Sequence, residues 1–415
     1  MRLLRLAVAL SCFGVVGCSG GEQGKSADKA AEPLEQQKPA APAESGPKVV
    51  KIGQTMAYSG PASAYGTIGR VEGAYFKKIN EEGGIAGHTI ELISLDDGYS
   101  PPKTVEQTRR LVEQDNVVAV FNSVGTAANS AVHKYLNSKQ VPHVFVSSGA
   151  TKWGDPKEYP WTIGFNPTYQ LEGRTYANHI LANSPKAKIA VLYQSDDYGK
   201  DLLQGLKDGL GQHASNIVAE ASYQVSDATI DSQIATLQAS KATVFVDITT
   251  PKFAAQAVRR IHDIGWKPTH YLNQVGASIA SVLKPAGPEK AVGAMTIGYF
   301  KDPTDAQYDA DPEMQRFKAF VKKFYPEGDP DDGTNVYGYV AAQVMVQVLK
   351  QCEGDFSRQN VMRQATNLRN FVPELLLPGI SVGTSATDFF PFDQVHVVRF
   401  NGKNWKALGE AGQVD

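Results

Sequence analysis

The sequence predicts an α/β protein made of two doubly wound, Rossmann-like lobes, and two observations carry that prediction. From residue 49 onward short β-type runs alternate with segments of helical period, and runs such as VVAVF at 117–121 are apolar at every position. A strand that is apolar on both sides is covered on both faces, which means a parallel sheet with helices outside it. The alternation breaks once, at the turn-rich TIGFNPTYQ of 162–170, and then starts again. One series before the break and one after it make two lobes. With 415 residues, of which 42% are hydrophobic and 20% charged, the chain can fill two such cores.

In chain order the first element is an export signal. In MRLLRLAVALSCFGVVGCSGGEQ, Arg2 and Arg5 precede an apolar stretch too short to span a bilayer comfortably, and small residues and Cys18 follow. Val15-Val16-Gly17-Cys18 resembles the lipobox of bacterial lipoproteins. That resemblance implies removal of residues 1–17 and lipid on the sulfur of Cys18, the alternative being an ordinary signal peptide that happens to contain a cysteine. Residues 18–48 are rich in Gly, Ala, Pro, Glu, Gln and Lys and almost without large apolar groups. They cannot bury enough surface to fold and read as a disordered leash between a membrane anchor and the domain. The expected location is the periplasm or the cell surface. Of the three cysteines, Cys12 leaves with the signal and Cys18 carries lipid, so only Cys352 remains as a thiol and no internal disulfide is possible. Cys352 ends the apolar run YGYVAAQVMVQVLKQC and reads as a packed helix residue.

The first lobe opens with strand VKIGQTM, followed by a helix whose Ile68, Val71, Tyr75 and Ile79 share one face. Next come strand HTIELISL and helix PPKTVEQTRRLVEQ, whose prolines suit a first turn, then VVAVFNS, helix GTAANSAVHKYLNSK and VPHVFVSS. After the break a helix starts at about Glu172. The second series continues through KIAVLYQ, helix GKDLLQGLKDGLG, IVAEASYQV, helix IDSQIATLQA, ATVFVDI, helix PKFAAQAVRRIHDIG, HYLNQ and AVGAMTIGYF. Three more helical stretches follow, and HVVRFNGKNWKAL closes the chain as a hairpin turning at Asn401-Gly402.

Ligands of open parallel sheets bind outside the carboxyl ends of the strands. Those ends read AYSGPASAYG, FNSVGT, VSSGAT, QSDDYG, DITTP and NQVGAS, which are mostly small, hydroxylic and neutral, with tyrosines interspersed. Such loops offer backbone NH and hydroxyl donors at helix N-termini, where dipole and unpaired amides favour an anionic group. A small carboxylate or similarly polar ligand fits them. Taken singly, each loop is also an ordinary helix cap. Phosphate and dinucleotide fingerprints are absent from the sequence. The net charge of -2 gives no basic field for nucleic acid. The eight histidines form no HExxH or helical pair, and VSSGAT is not a GxSxG elbow, so catalysis, metal and cofactor are not expected. Asp96-Asp97 and Asp196-Asp197 read as caps and solvated turns ahead of an acid pair or metal site.

On YSGPASAYG, on VPHVFVSSGAT with a tryptophan after it, and on DDYGKDLLQGLKDGLG, the chain resembles the periplasmic leucine/isoleucine/valine-binding protein family, the type I solute receptors of ABC importers. The likeness runs from Lys51 to the final hairpin, with a looser similarity to a subgroup associated with aromatic carboxylates. It implies two lobes joined by three crossovers, 49–166 with 299–392 and 167–298 with 393–415, closing on a ligand by hinges near Asn166–Tyr169, Gly298–Tyr299 and Asp393. By position, it places Tyr65 beside the ligand and the backbone of Ser123, Val124, Gly125 and Thr126 at its carboxylate. It further places the Gly149 backbone carbonyl and the Thr151 hydroxyl at an amino acid's ammonium and carboxylate, with Ser148 and Ala150 in the same ligand-binding loop, and Tyr198 as the tyrosine closing from the second lobe. Two positions depart from the amino-acid pattern: Gln274 stands where an acid pairs with the α-ammonium, and Thr249 where a tyrosine is usual. Asp247, at the end of its strand, is an alternative counter-ion.

The expected function is therefore a monomeric, lipid-anchored receptor that hands an amino acid or a small organic carboxylate to an ABC permease. A sensory lipoprotein on the same fold and an exported amidase or hydrolase are the alternatives.

Overall fold

The computed structural model describes residues 48–409 and 412–413. The export signal, Cys18 and all but the last residue of the leash lie outside the described residues. Strand β1 (Lys48–Met56) is buried from Ile52 to Met56 and pairs in parallel with β2 (His88–Asp96) on one side and β3 (Ala119–Phe121) on the other. With β4 (His143–Val146) and β5 (Thr162–Gly164) it forms a five-stranded sheet of order β2-β1-β3-β4-β5. The connecting helices are α1 (Gly66–Glu81), α2 (Pro101–Glu113) and α3 (Thr126–Ser138). The predicted face of α1, Ile68, Val71, Tyr75 and Ile79, is buried. Helix α2 starts on its two prolines, whose fixed φ and missing NH cost nothing in a first turn.

The second sheet holds β6 (Ile189–Gln194), β7 (Ile217–Tyr223), β8 (Val244–Ile248), β9 (Thr269–Leu272) and β10 (Met295–Gly298), all parallel. The hairpin β11 (Gln394–Phe400) and β12 (Trp405–Ala407) adds to it antiparallel, giving the order β12-β11-β10-β9-β8-β6-β7, and β13 (Gly412–Gln413) pairs with β11 off this path. The hairpin turns where Asn401-Gly402 places it, with the Asn401 amide donating to the Asn404 carbonyl at 3.1 Å. Its helices are α4 (Tyr169–Asn183), α5 (Asp197–Leu210), α6 (Asp231–Ala239), α7 (Pro251–Asp263) and the single turn α8 (Lys284–Ala286), which follows a π-helical turn at Ile279–Leu283.

The chain then returns. Helices α9 (Pro312–Phe324), α10 (Gly333–Gln351) and α11 (Arg358–Ala365) lay Phe317, Val340, Val344 and Val361 into the same apolar core as Ile52 and Phe121 of the first sheet. It passes between the sheets after β5, after β10 and ahead of β11, so the two lobes are joined by crossovers. Cys352, just past α10, is buried in that core, which pushes its thiol up to about 12. Among the described residues no helix is long and apolar enough to cross a membrane.

Two details differ from the sequence reading. Residues Thr162–Gly164, read as part of a break, form the short edge strand β5. Helix α4 starts at Tyr169, three residues before Glu172, because the Thr168 hydroxyl accepts the Leu171 amide at 3.0 Å and caps it.

Helices α4 and α5 pack on each other through glycines. A Cβ on Gly205 would stand 2.4 Å from the Gln170 Cα, and one on Gly173 would stand 2.4 Å from the Leu202 carbonyl oxygen. Backbone, unlike a side-chain tip, cannot move aside cheaply. Gly205→Ala is expected to destabilise by about 1–3 kcal/mol through overpacking, against the few tenths that better helix propensity would add. Urea unfolding checks this as a lower midpoint at unchanged slope.

Candidate functional site

The first sheet reverses direction of winding between β1 and β3, and the second between β6 and β8. Crevices at such points are where α/β sheets take ligands. The loops after these four strands contribute Tyr65, Val124 with Gly125, Tyr198 and Thr250 to one cavity between the lobes, about 180 Å³ in volume. Its wall is largely aromatic and aliphatic: Tyr99, Tyr169, Tyr299, Phe300 and Tyr337 join Ile68, Ile279, Ile297 and Leu377. The charged groups on the wall are already engaged. Lys301 Nζ lies 2.7 Å from Asp311 and 2.8 Å from Glu313, Asp331 lies 3.0 Å from Lys318, and Asp302 accepts from the amides of Thr304 and Trp405.

Val124 and Gly125 bring the start of α3 to the cavity wall. Gly125 turns the chain there with φ 106°, and no side chain caps the helix. The first-turn amides of Thr126, Ala127 and Ala128 have no intrahelical acceptor, and the helix dipole adds to their positive character. Glycine is required at 125 on two counts: its φ, and the Tyr99 ring, which a Cβ would approach to 2.6 Å. The loop is held from behind. Asn129 Nδ2 donates to the carbonyls of Ser123 (2.8 Å) and Gly125 (2.7 Å), and Asn129 Oδ1 lies 2.8 Å from His143 Nε2. Burial pushes His143 down to about 3, so the neutral ring donates its Nε2–H to that amide oxygen. Just beneath, Asn122 (φ 45°) and Phe145 (φ 57°) occupy the left-handed region, tied by a 2.7 Å bond from Asn122 Nδ2 to the Phe145 carbonyl.

Of the residues expected at the ligand, Tyr65, Val124, Gly125, Tyr198 and Gln274 line the cavity. The others stand behind its wall. Ser123 Oγ accepts the Thr55 amide at 2.9 Å. The Thr126 and Ser148 hydroxyls are 2.7 Å apart, and Ser148 Oγ also accepts from the Trp153 indole and the Ala150 amide. The Gly149 carbonyl accepts the Tyr169 amide at 2.6 Å. Thr151 donates its amide and its hydroxyl to Asp201 of α5, at 2.7 and 3.0 Å, so residues 148–151 brace the second lobe. Thr249 donates its hydroxyl to Asp247 at 2.7 Å, and the other Asp247 oxygen lies 3.2 Å from His270 Nε2, which leaves neither at the cavity. Asp96, Asp97 and Asp196 are caps that collect loop amides.

Sequence reasoning missed Tyr99, Ser147, Asn166, Tyr169, Thr250, Tyr299 and Tyr337, all on the wall. Tyr99 and Ser147 follow β2 and β4 directly, so the strand-end rule reaches them. Tyr169 and Tyr299 lie at crossovers and Tyr337 on α10, where no local pattern marks a ligand contact. Tyr65 does more than line the wall. Its hydroxyl donates to the Val275 carbonyl at 3.0 Å, joining the first lobe to the turn after β9.

Gln274, on that turn, is positioned by Glu172. The Glu172 carboxylate accepts the Gln274 amide at 2.7 Å and the Tyr176 hydroxyl at 2.6 Å. Burial outweighs these bonds and pushes Glu172 up to about 7. In the unfolded chain a glutamate titrates near ~4.3, so between there and about 7 the folded protein holds a proton that the unfolded one has lost. Stability contributed by this group is therefore full below that window and falls as pH rises through it, by on the order of 3 kcal/mol. Glu172→Gln removes the titration. Thermal melts across pH 4.5 to 8 should show the variant gaining on wild type as pH rises, and parallel profiles would refute the assignment.

Two doubly wound lobes with one cavity spanning both crevices define a two-lobed solute receptor. The description of the periplasmic binding protein family matches residues 49–404, and the chain belongs to that family, in its leucine/isoleucine/valine-binding group. It is 24% identical over 324 residues to Leu/Ile/Val-binding protein homolog 7 of Brucella abortus, covering 74% of this chain and 78% of that protein. A branched chain amino acid ABC transporter protein from Thermus thermophilus with bound valine superposes with a TM-score of 0.80 at 16% identity, over 89% of this chain and 97% of that one. The fatty acid ABC transporter substrate-binding protein of Thermomonospora curvata gives 0.76 at 21%, over 90% and 95%. The structural likenesses establish the fold. The family is one of non-catalytic solute-binding proteins, so the chain is a substrate-binding protein of the ABC-importer class and not an enzyme.

Proposed function

We propose that this protein is a lipid-anchored receptor that closes its two lobes on a small organic carboxylate and passes it to an ABC permease. The observation that carries the reading is the cavity itself, whose wall includes Gly125 at the uncapped N-terminus of α3 and whose charged residues are all already engaged. An anion held there meets amides and hydroxyls, and charge-assisted bonds of that kind are worth roughly 1.5–3 kcal/mol each. Ligand contacts on both lobes add to the Tyr65–Val275 bond and favour the closed form.

Gln274 bears on the ligand's other end. An ammonium buried beside it has no counter-ion at that position, a loss of roughly 2–5 kcal/mol. The favoured ligand is thus a carboxylate without the α-amine. Isothermal titration with leucine and 4-methylpentanoate should show wild type preferring the desamino acid, and Gln274→Glu should shift preference toward leucine. A wild-type preference for leucine of tenfold or more refutes this and favours a second reading, an amino-acid ligand whose ammonium draws on the Glu172 carboxylate behind Gln274. That reading requires affinity to fall as pH drops through 7, because protonation removes the charge.

The anchor is supported by the resemblance of Val15 to Cys18 to a lipobox and by the apolar-poor segment behind it. Mass spectrometry of the membrane fraction should find a mature N-terminus at Cys18 carrying two or three acyl chains, since one chain alone holds only weakly. An unmodified N-terminus beyond Cys18 would overturn it.

A further inference from the structure

The cavity runs along the second sheet well past its switch point. Its wall takes Tyr198 from the loop after β6, Thr250 from the loop after β8, Gln274 from the turn after β9 and Phe300 from the crossover after β10, and then Val398 of β11 and Ala407 of β12. These strands lie side by side in the order β6-β8-β9-β10-β11-β12, five spacings or roughly 24 Å. Side chains fill some of that length at either end. A six-carbon acid such as 4-methylpentanoate advances only about 1.3 Å per extended carbon, so it is on the order of 7 Å long and leaves much of the cavity unfilled.

The start of α3 stands at the β6 end. Thr126 Oγ1, in its first turn, lies 3.5 Å from the Tyr169 hydroxyl, and the Tyr169 and Tyr198 ring centroids are 5.0 Å apart. A carboxylate at α3 therefore leaves the arm between β10 and β12 to the rest of the ligand. That arm is apolar and rigidly built. Val398 and Leu377, 6% and 8% exposed, line it beside Gly298, where a Cβ would stand 2.8 Å from Val398 Cγ1 and 3.8 Å from Leu377 Cδ1. Trp405 walls it with its polar groups already spent. The indole donates to the Ala277 carbonyl at 3.1 Å and the amide to Asp302 at 2.8 Å, while the ring packs on Phe400 with centroids 5.3 Å apart. Gln307 and Ala407, also on the wall, are exposed, so the arm opens to solvent there.

We propose that the arm between β10 and β12 is a subsite for an apolar tail, so that the ligand is an elongated carboxylate, alkyl or aryl-alkyl, of roughly eight to ten carbons. This rests on the carboxylate reading above and narrows it by length. Each methylene that enters the arm leaves water and tightens binding about two- to fourfold. The gain stops where the chain passes Gln307 and Ala407 into solvent.

Titration calorimetry of butanoate, hexanoate, octanoate and decanoate with wild type, Ala407→Trp and Val398→Thr tests this. Wild type should bind about two- to fourfold tighter for each methylene added between hexanoate and decanoate. Ala407→Trp narrows the arm from its exposed edge, and Val398→Thr puts a hydroxyl inside it at nearly unchanged shape. Each should weaken decanoate about fivefold or more relative to hexanoate, and melting of the empty variants checks that both fold. A wild-type series that is flat beyond hexanoate overturns the subsite and leaves the carboxylate reading standing. A chain-length gain that survives both substitutions, or hexanoate and decanoate weakened alike by both, does the same. If wild type binds none of the four acids, the carboxylate reading fails and the subsite with it.

Discussion

The turn at Gly125 is the constraint on which the cleft is built. A residue with φ 106°, packed against the Tyr99 ring, starts α3 at the wall of the cavity between the lobes. Any side chain at that position would meet the ring and move either the loop or the helix. Because Asn129 grips the carbonyls on both sides of Val124, and the neutral His143 in turn fixes Asn129, the loop is set by the core of the first lobe before any ligand arrives. Donors placed in advance cost little ordering entropy on binding, which is how neutral amides can hold an anion without a cation beside it.

The second lobe meets this fixed end in two ways. On the side of the first crossover, residues 148–151 are bound into α4 and α5, with Thr151 spent on Asp201 and the Gly149 carbonyl on Tyr169. On the opposite side the contact is thinner: Tyr65 reaches the Val275 carbonyl, and Ser278 Oγ lies 3.2 Å from Asp332. A well-braced side and a lightly bonded side suit rotation about the crossovers. Glu172 links the two, since it sits on α4 near the first crossover and holds the amide of Gln274 on the turn that Tyr65 meets.

The segments that return to the first lobe explain the character of the cavity wall. Tyr299 and Phe300 belong to the same core as α9 and α10, and Tyr337 enters from α10 itself. The ligand is thus bounded by residues far apart in sequence, whose rings are held by packing that would exist without it. Such walls are rigid, and they set shape more than charge.

How much of this was legible depends on whether a feature is local. Apolar period along 117–121 and on α1, the prolines opening α2, the turn at Asn401-Gly402 and the capping aspartates are dictated by neighbours in the chain, and the sequence by itself determined the two α/β series, their order and the neutral chemistry of the strand ends. The strand-end rule marked the loops that carry Tyr65, Gly125, Tyr198 and Gln274, and the family resemblance singled out those residues within them. Only the tertiary structure decided that Thr151 turns to Asp201, that Thr249 and Asp247 satisfy each other, and that Tyr299 is left with an unpaired hydroxyl. Whether a hydroxyl faces a cavity or a carboxylate 50 residues away is set by how two lobes pack, and a sequence read locally does not contain that contact.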